Sequence, residues 1–183
     1  MALSGKEKRK RKGKKYWRLL EPKKYVDLMF SFVLPAKLKK LAKRSELKEV
    51  ELKGVLKQTD EGFVYVKINN DIIHGLFPLI DEDGIEEPPY FGKGEIGAHI
   101  SAISDEEIDE DVEIKELGQE INFKLGPMCW TKPEGWKEMA KVFFVSVEIP
   151  ELKEIRKRYG LPVSYKGLGH DYHTTIAVKK AKK

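Results

Sequence analysis

The chain has 183 residues, 40% apolar and 36% charged, with a net charge of +5, a composition that suits one globular domain with a real core. Its best apolar run, Val26 to Ala36, falls well short of the ~20 residues that cross a bilayer, and its basic N-terminus leads into no secretory pattern. With Cys129 as the only cysteine, no intrachain disulfide can form, so an intracellular, cytoplasmic protein is expected.

The charge is unevenly spread. Residues 6–15 read KEKRKRKGKK and the chain ends KKAKK, whereas acidic residues collect between Asp81 and Glu120. Residues 1–15 and 180–183 are therefore expected to be disordered basic tails around a single domain over 16–179. Such tails attract nucleic-acid phosphates without reading sequence. Solubilisation, an anionic membrane surface or nuclear import, if the host has a nucleus, explain them as well.

Tyr16 to Leu20 begins the fold or forms a short helix leading into it. Tyr25 to Leu34 reads as a buried strand, although so short a run does not separate strand from helix. Pro35 then opens a helix to about Lys48, with Leu38, Leu41 and Ala42 as its apolar stripe. Glu49 to Leu56 and Gly62 to Ile68 alternate like strands around a Thr59–Gly62 turn, which is a hairpin signal. Ile72 to Ile80 offers a further strand. Asp81 to Glu95, with its glycines and prolines, reads as a surface loop.

A strand follows at Ile96 to Ile103, and Ser104 has the look of an N-cap for a short acidic turn. Glu120 to Leu125 and Val142 to Glu148 read as strands, separated by an aromatic-rich loop or hairpin over Met128 to Trp136. Pro150 opens a helix to about Tyr159 that Gly160 ends. The last strand follows Gly167-Leu-Gly169. Strand, proline and basic helix occur twice, at Val26 to Lys48 and at Val142 to Arg158, which suggests an α+β or split-sheet architecture of two similar lobes.

Two short patterns carry the chemistry. His99-Ile-Ser101 and His173-Thr-Thr175 each place an imidazole and a hydroxyl on one face of a strand, because side chains alternate along extended chain. Ala177 falls on the face of His173 and Thr175 by the same alternation. One such triplet is nearly worthless as a signal. Two of them, each in a strand after a glycine-containing loop, fit phosphoryl transfer: one histidine takes a proton from the nucleophile and the other protonates the leaving oxygen. The hydroxyls hydrogen-bond the non-bridging oxygens. No metal or cofactor is required. The bland alternative is a pair of half-buried strand histidines bonded to neighbouring backbone.

His99-Ile-Ser-Ala and His173-Thr-Thr-Ile resemble the paired His-x-Ser/Thr-x motifs of the two-histidine (2H) phosphoesterase superfamily. Leu28-Met-Phe-Ser-Phe-Val-Leu-Pro35 with its helix resembles the family's opening strand and helix, and Ile121 to Glu148 with the helix from Pro150 resembles the segment joining the motifs in the RNA ligase-like cyclic phosphodiesterases. The resemblance implies an α+β, bilobal, pseudo-twofold fold, with antiparallel sheets lining a central cleft and helices outside. It also implies His99 and His173 as the acid–base pair and Ser101 and Thr175 as phosphate ligands. Residues 49–94 are longer than in the simplest members, which suggests an inserted hairpin region. The first motif carries Ser where Thr is also found, and only the hydroxyl is needed.

Several further residues invite a role. Tyr165 and Tyr172 flank the second motif and are candidate base contacts, with Lys166 a candidate phosphate contact; loop aromatics also form small satellite cores, and a lysine is often simply solvated. His170 with Asp171 lacks the third, well-spaced partner of a metal site. His74 reads as structural or surface, and Cys129 as a small apolar residue. The expected function is a metal-independent phosphodiesterase, a hydrolase cleaving a 2′-5′ or 2′,3′-cyclic phosphate bond. RNA or an oligonucleotide such as 2′-5′ oligoadenylate is the expected partner, as in RNA processing; no membrane is, and the chain acts as a monomer. The competing class is a non-catalytic RNA-binding module that works through its basic tails, and a small cyclic nucleotide substrate fits the same chemistry.

Overall fold

The computed structural model describes residues 8–11, 14–20, 52–92, 94–109, 111–132, 136–167 and 172–181, the first two segments as backbone only. The strand and helix expected over Tyr25 to Lys48 lie outside the described residues, as do His170 and Asp171. The eight described strands are β1 (Lys8–Arg11), β2 (Lys14–Leu20), β3 (Leu52–Gln58), β4 (Val64–Lys67), β5 (His99–Ile103), β6 (Glu120–Thr131), β7 (Met139–Glu148) and β8 (Tyr172–Lys180). Two α-helices accompany them, α1 (Asn70–Leu76) and α2 (Pro150–Arg158). The fold is α+β, with antiparallel pairing throughout the described ladders.

β6 organises the sheet. Its residues 120–123 pair with β3, while Lys124 to Thr131 pair with β7 and Met128 to Trp130 with β2. From β3 the ladder runs through β4 to β5, and from β7 it runs to β8. The two motif strands thus terminate the two arms, and β5 and β8 come to lie against each other. Helix α1 rests near β8, and α2 near β5 and β6.

Local chemistry accounts for most elements. Thr59 N–H donates to Phe63 O at 2.9 Å and Gly62 N–H to Thr59 O at 3.0 Å, closing the expected hairpin between β3 and β4. Pro150 opens α2, whose buried Leu152 and Ile155 form its inner stripe, and Gly160 follows with φ 71°. Ser104 caps the acidic turn Asp105–Glu107 in a full capping box.

Two expectations are corrected. Residues 72–80 are not a strand: Asn69 accepts from Asp71 N–H, and buried Ile72, Ile73 and Leu76 make a helical stripe that Phe77–Leu79 ends as a 3-10 turn. The β-branched pair reads like a strand, but the cap and a one-sided core override that propensity. Of the loop or hairpin expected over Met128 to Trp136 the structure has the hairpin: residues 128–131 continue β6, which pairs antiparallel with β7, and Met128 and Cys129 are buried in the sheet. Part of the basic run, Lys8–Arg11 with Lys14 and Lys15, stands in strands β1 and β2 instead of a disordered tail, since pairing with β6 satisfies the backbone. The hairpin of β3 and β4 stands inside the sheet, between β6 and β5.

The core is one cluster that includes Leu56, Val66, Ile100, Ile103, Ile121, Phe123, Phe143, Val145, Ile155 and Ile176. Burying each such side chain stabilises the fold by about 1.5–3 kcal/mol. Ile100 and Ala102 of β5 and Thr174 and Ile176 of β8 point into it, which leaves His99, Ser101, His173 and Thr175 on partly open faces. No described helix is long and apolar enough to cross a membrane.

Candidate active site

The two motif strands share a design that their sequences alone do not display. On β5, Tyr65 pairs with Ser101 and Val64 with Ile103, so Ala102 is an extra, bulged residue. On β8, Phe144 pairs with Thr175 and Phe143 with Ala177, so Ile176 is extra. Each strand is therefore bulged at the residue after its hydroxyl. A bulge re-aims the chain, and here it ends strict alternation beyond the motif; Ala177 is buried and does not simply continue the face of His173 and Thr175.

Each triplet also meets an aromatic residue from the neighbouring strand. Tyr65, opposite Ser101, sets its ring at 76° to His99 with centroids 5.8 Å apart. Phe144, opposite Thr175, places its ring 5.2 Å from His173. Cross-strand partners share a face and stand closest together, so Lys67 is the neighbour of His99 and Ser146 that of His173.

His99 is held in one tautomer. Its Nδ1 lies 2.8 Å from Gly97 O; a carbonyl only accepts, so Nδ1 carries the proton and Nε2 presents its lone pair. Burial pushes the imidazole pKa below its usual value, outweighing the Gly97 hydrogen bond. His99 is thus neutral at neutral pH. Gly97 can do this because it has φ 72° and no side chain; a Cβ there would come 2.7 Å from Asn70 Oδ1, the atom that accepts from Ala98 N–H. Gly97→Ala is expected to lower stability by about 1–3 kcal/mol in urea titrations, through strain and displaced Asn70.

Tyr90 joins the motifs. Its ring stands 4.6 Å from the His99 ring, centroid to centroid, and its hydroxyl donates to Thr175 O at 3.4 Å. Burial raises its pKa to about 12, so the phenol stays a donor. The segment carrying it is no free surface loop, because Glu86 exchanges two backbone hydrogen bonds with Val178 of β8.

Arg156 sits behind the first motif, fully buried. Its guanidinium donates to Ala102 O at 2.6 Å, to Pro162 O at 2.6 Å, to Ser164 O at 2.9 Å, and to both Glu107 oxygens at 2.6 and 3.0 Å. One side chain therefore fixes the bulge after Ser101, the capped turn and the segment leading to β8. Burial alone would raise the Glu107 pKa, but the Arg156 hydrogen bonds hold it below the usual carboxylate range.

The chain can now be placed among known proteins. A family model described as "Swiss Army Knife, 2H phosphoesterase domain" matches residues 64–183. The chain belongs to the 2H phosphoesterase superfamily. No curated protein and no solved structure matches it. The matched span begins at β4 and takes in both triplets, Tyr90 and Arg156.

Within this 2H phosphoesterase domain the remaining candidates separate. Tyr172 is 3% exposed with its hydroxyl on Val163 O at 2.8 Å; its ring belongs to the core, which corrects the expectation of a base contact. Tyr165 is half-buried against the same core. Lys166, at φ 49°, pairs with Glu106 at 2.6 Å, on the turn after β5. His74 is exposed on α1 and pairs with Glu87 at 2.9 Å. Buried Cys129 points to Pro127 O. Sequence reasoning missed Tyr90, Tyr65, Phe144 and Arg156. The signal for Tyr90 was an aromatic pair after two prolines just before the first motif; Arg156 looked like any other charge in a basic helix.

Proposed function

We propose that the protein is a phosphodiesterase acting on a 2′-5′ or 2′,3′-cyclic phosphate in RNA or an oligonucleotide, with the phosphorus held between the triplets in a cleft of a two-lobed, pseudo-twofold fold. The observation that carries this reading is the matched pair of strands, each with His-x-hydroxyl, a bulge and an aromatic on its histidine. Membership of the 2H phosphoesterase superfamily supports it.

His99 is the general base in this mechanism, since it is neutral with Nε2 as acceptor. For a 2′-5′ linkage it takes the 3′-hydroxyl proton; O3′ attacks phosphorus, a 2′,3′-cyclic phosphate forms, and His173 protonates the leaving 5′ oxygen. For a cyclic substrate His99 takes the proton from water, and His173 protonates the ribose oxygen that departs. The Ser101 and Thr175 hydroxyls donate to the non-bridging oxygens. The two imidazoles and two hydroxyls supply both proton transfers and the phosphate ligation without calling on a metal.

The test is a panel of 2′-5′, 3′-5′ and cyclic phosphate substrates in EDTA. Turnover of a 2′-5′ or cyclic substrate is expected, and no turnover of any would overturn the proposal. A base must be unprotonated, so kcat/KM rises with pH through the pKa of His99. That rising limb is expected below the ~6.5 of an unperturbed imidazole, with a falling limb as His173 loses its proton, giving a bell. A rising limb above 6.5 counts against His99 as the base.

A further inference from the structure

Residues 81–92 form a surface loop that is strapped along the edge of β8. At its start, the Glu82 carboxylate accepts from Lys141 of β7 at 2.6 Å and from Lys179 of β8 at 2.9 Å. Burial raises and these two ammonium groups lower its pKa, and the lowering wins. Lys179 also donates to Asp83 O at 2.7 Å. Glu86 then bonds Val178 through N–H and C=O at 2.8 and 2.9 Å, and Lys180 pairs with Glu86 at 2.7 Å. The far end is tied to the other arm of the sheet: Tyr90 O accepts from Gly97 N–H at 2.9 Å, and the Phe91 ring lies 5.4 Å from that of His74 on α1. The strap runs antiparallel to β8 on the edge away from β7, then hands the chain to β5.

We infer that Tyr90 is the positioning residue of the site: its ring fixes the His99 imidazole while its hydroxyl fixes the Thr175 backbone, so one side chain sets the separation of the two motifs. This rests on the phosphodiesterase reading. Three contacts converge on this residue, one to each motif and one to Gly97 just before the first. Three rings stand edge-on to the imidazole, Phe63 at 5.9 Å, Tyr65 at 5.8 Å and Tyr90 at 4.6 Å between centroids, and Tyr90, the nearest, excludes water from one side of it. The strap's part-buried ion pairs, with side-chain exposures of 22–29%, hold the tyrosine in place from the β8 side. The titratable groups that neighbouring elements present toward His99 are Tyr65 and Lys67 of β4 and Tyr90 of the strap; of these, the Tyr90 ring stands nearest.

Tyr90→Phe and Tyr90→Ala separate the two roles. Each variant is followed by NMR titration of the His99 imidazole, assigned by its loss in His99→Ala, and by kcat and KM on the substrate that the wild type turns over. Tyr90→Phe keeps the ring, so the His99 midpoint stays where it is while kcat falls about tenfold, the equivalent of one hydrogen bond, with KM little changed. Tyr90→Ala uncovers the imidazole: its midpoint rises toward ~6.5 and kcat falls about a hundredfold. The inference is overturned if His99 titrates alike in the wild type and Tyr90→Ala, or if Tyr90→Phe keeps wild-type kcat. Should Tyr90→Ala fail to fold by circular dichroism, the Tyr90→Phe result decides. A wild type inactive on every substrate overturns the phosphodiesterase reading, while the titration alone then decides whether Tyr90 governs His99.

Discussion

His99→Ala and His173→Ala each lower kcat/KM on a 2′-5′ or cyclic phosphate by about 10²–10⁴-fold, and the double variant falls little further. The second expectation follows from the chemistry: one proton is taken and one is given in a single displacement, so a site lacking either partner gains little from the other. Both histidines lie on partly open faces of their strands, so neither substitution empties the core, and thermal melts should stay close to wild type. The pH profiles sharpen the assignment. His99→Ala should lose the rising limb and keep the falling one, and His173→Ala the reverse. Near-normal turnover in either single variant would rule out the two-histidine mechanism.

Arg156→Ala is expected to cost about 3–5 kcal/mol of folding stability, measured by urea denaturation. A small domain has only about 5–15 kcal/mol in total, so much of the variant should be unfolded. The reason is what the arginine leaves behind. The Glu107 carboxylate, 11% exposed, loses its counter-charge, and the carbonyls of Ala102, Pro162 and Ser164 lose their donor. Arg156→Lys should recover little, because an ammonium cannot span those acceptors as a planar fork does. Arg156→Met with Glu107→Leu should be less damaging than the sum of the two single changes, since no unpaired charge remains buried. The same pair makes stability pH-dependent. The folded pKa of Glu107 lies below the ordinary 4.5, so its contribution is complete above that pH and is lost as pH falls through the folded value. A melt series showing equal acid sensitivity in wild type and Glu107→Gln would contradict this.

Some of the architecture is legible in the sequence. Strand-like alternation over residues 49–56 and 62–68 points to β3 and β4, and the Thr59–Gly62 turn between them forms as its residues require. Proline at its start and Gly160 after its end bound α2, and Ser104 caps the short acidic turn expected after it. These are local effects, decided within a few residues. Ile72-Ile73 went the other way: two β-branched residues favour a strand, yet Asn69 caps them into α1 and the core takes one helical face. Where burial competes with propensity, burial prevails.

The sequence by itself determined the chemical inventory: two imidazoles, each with a hydroxyl two residues on, in segments that form the strands β5 and β8. Strand periodicity is a property of the backbone, so it brings His99 to Ser101 and His173 to Thr175 whatever the rest of the chain does. The tertiary structure decided everything that spans long separations. It opposed β5 to β8, which lie at the ends of two arms of one sheet. It turned a loop of glycines and prolines into a strap whose Tyr90 touches both motifs, and it drew Arg156 from an apparently solvated helix face into a fully buried network. A charge or an aromatic ring has no fixed place along the chain, because its position follows from which carbonyl, carboxylate or imidazole the folded sheet brings within reach.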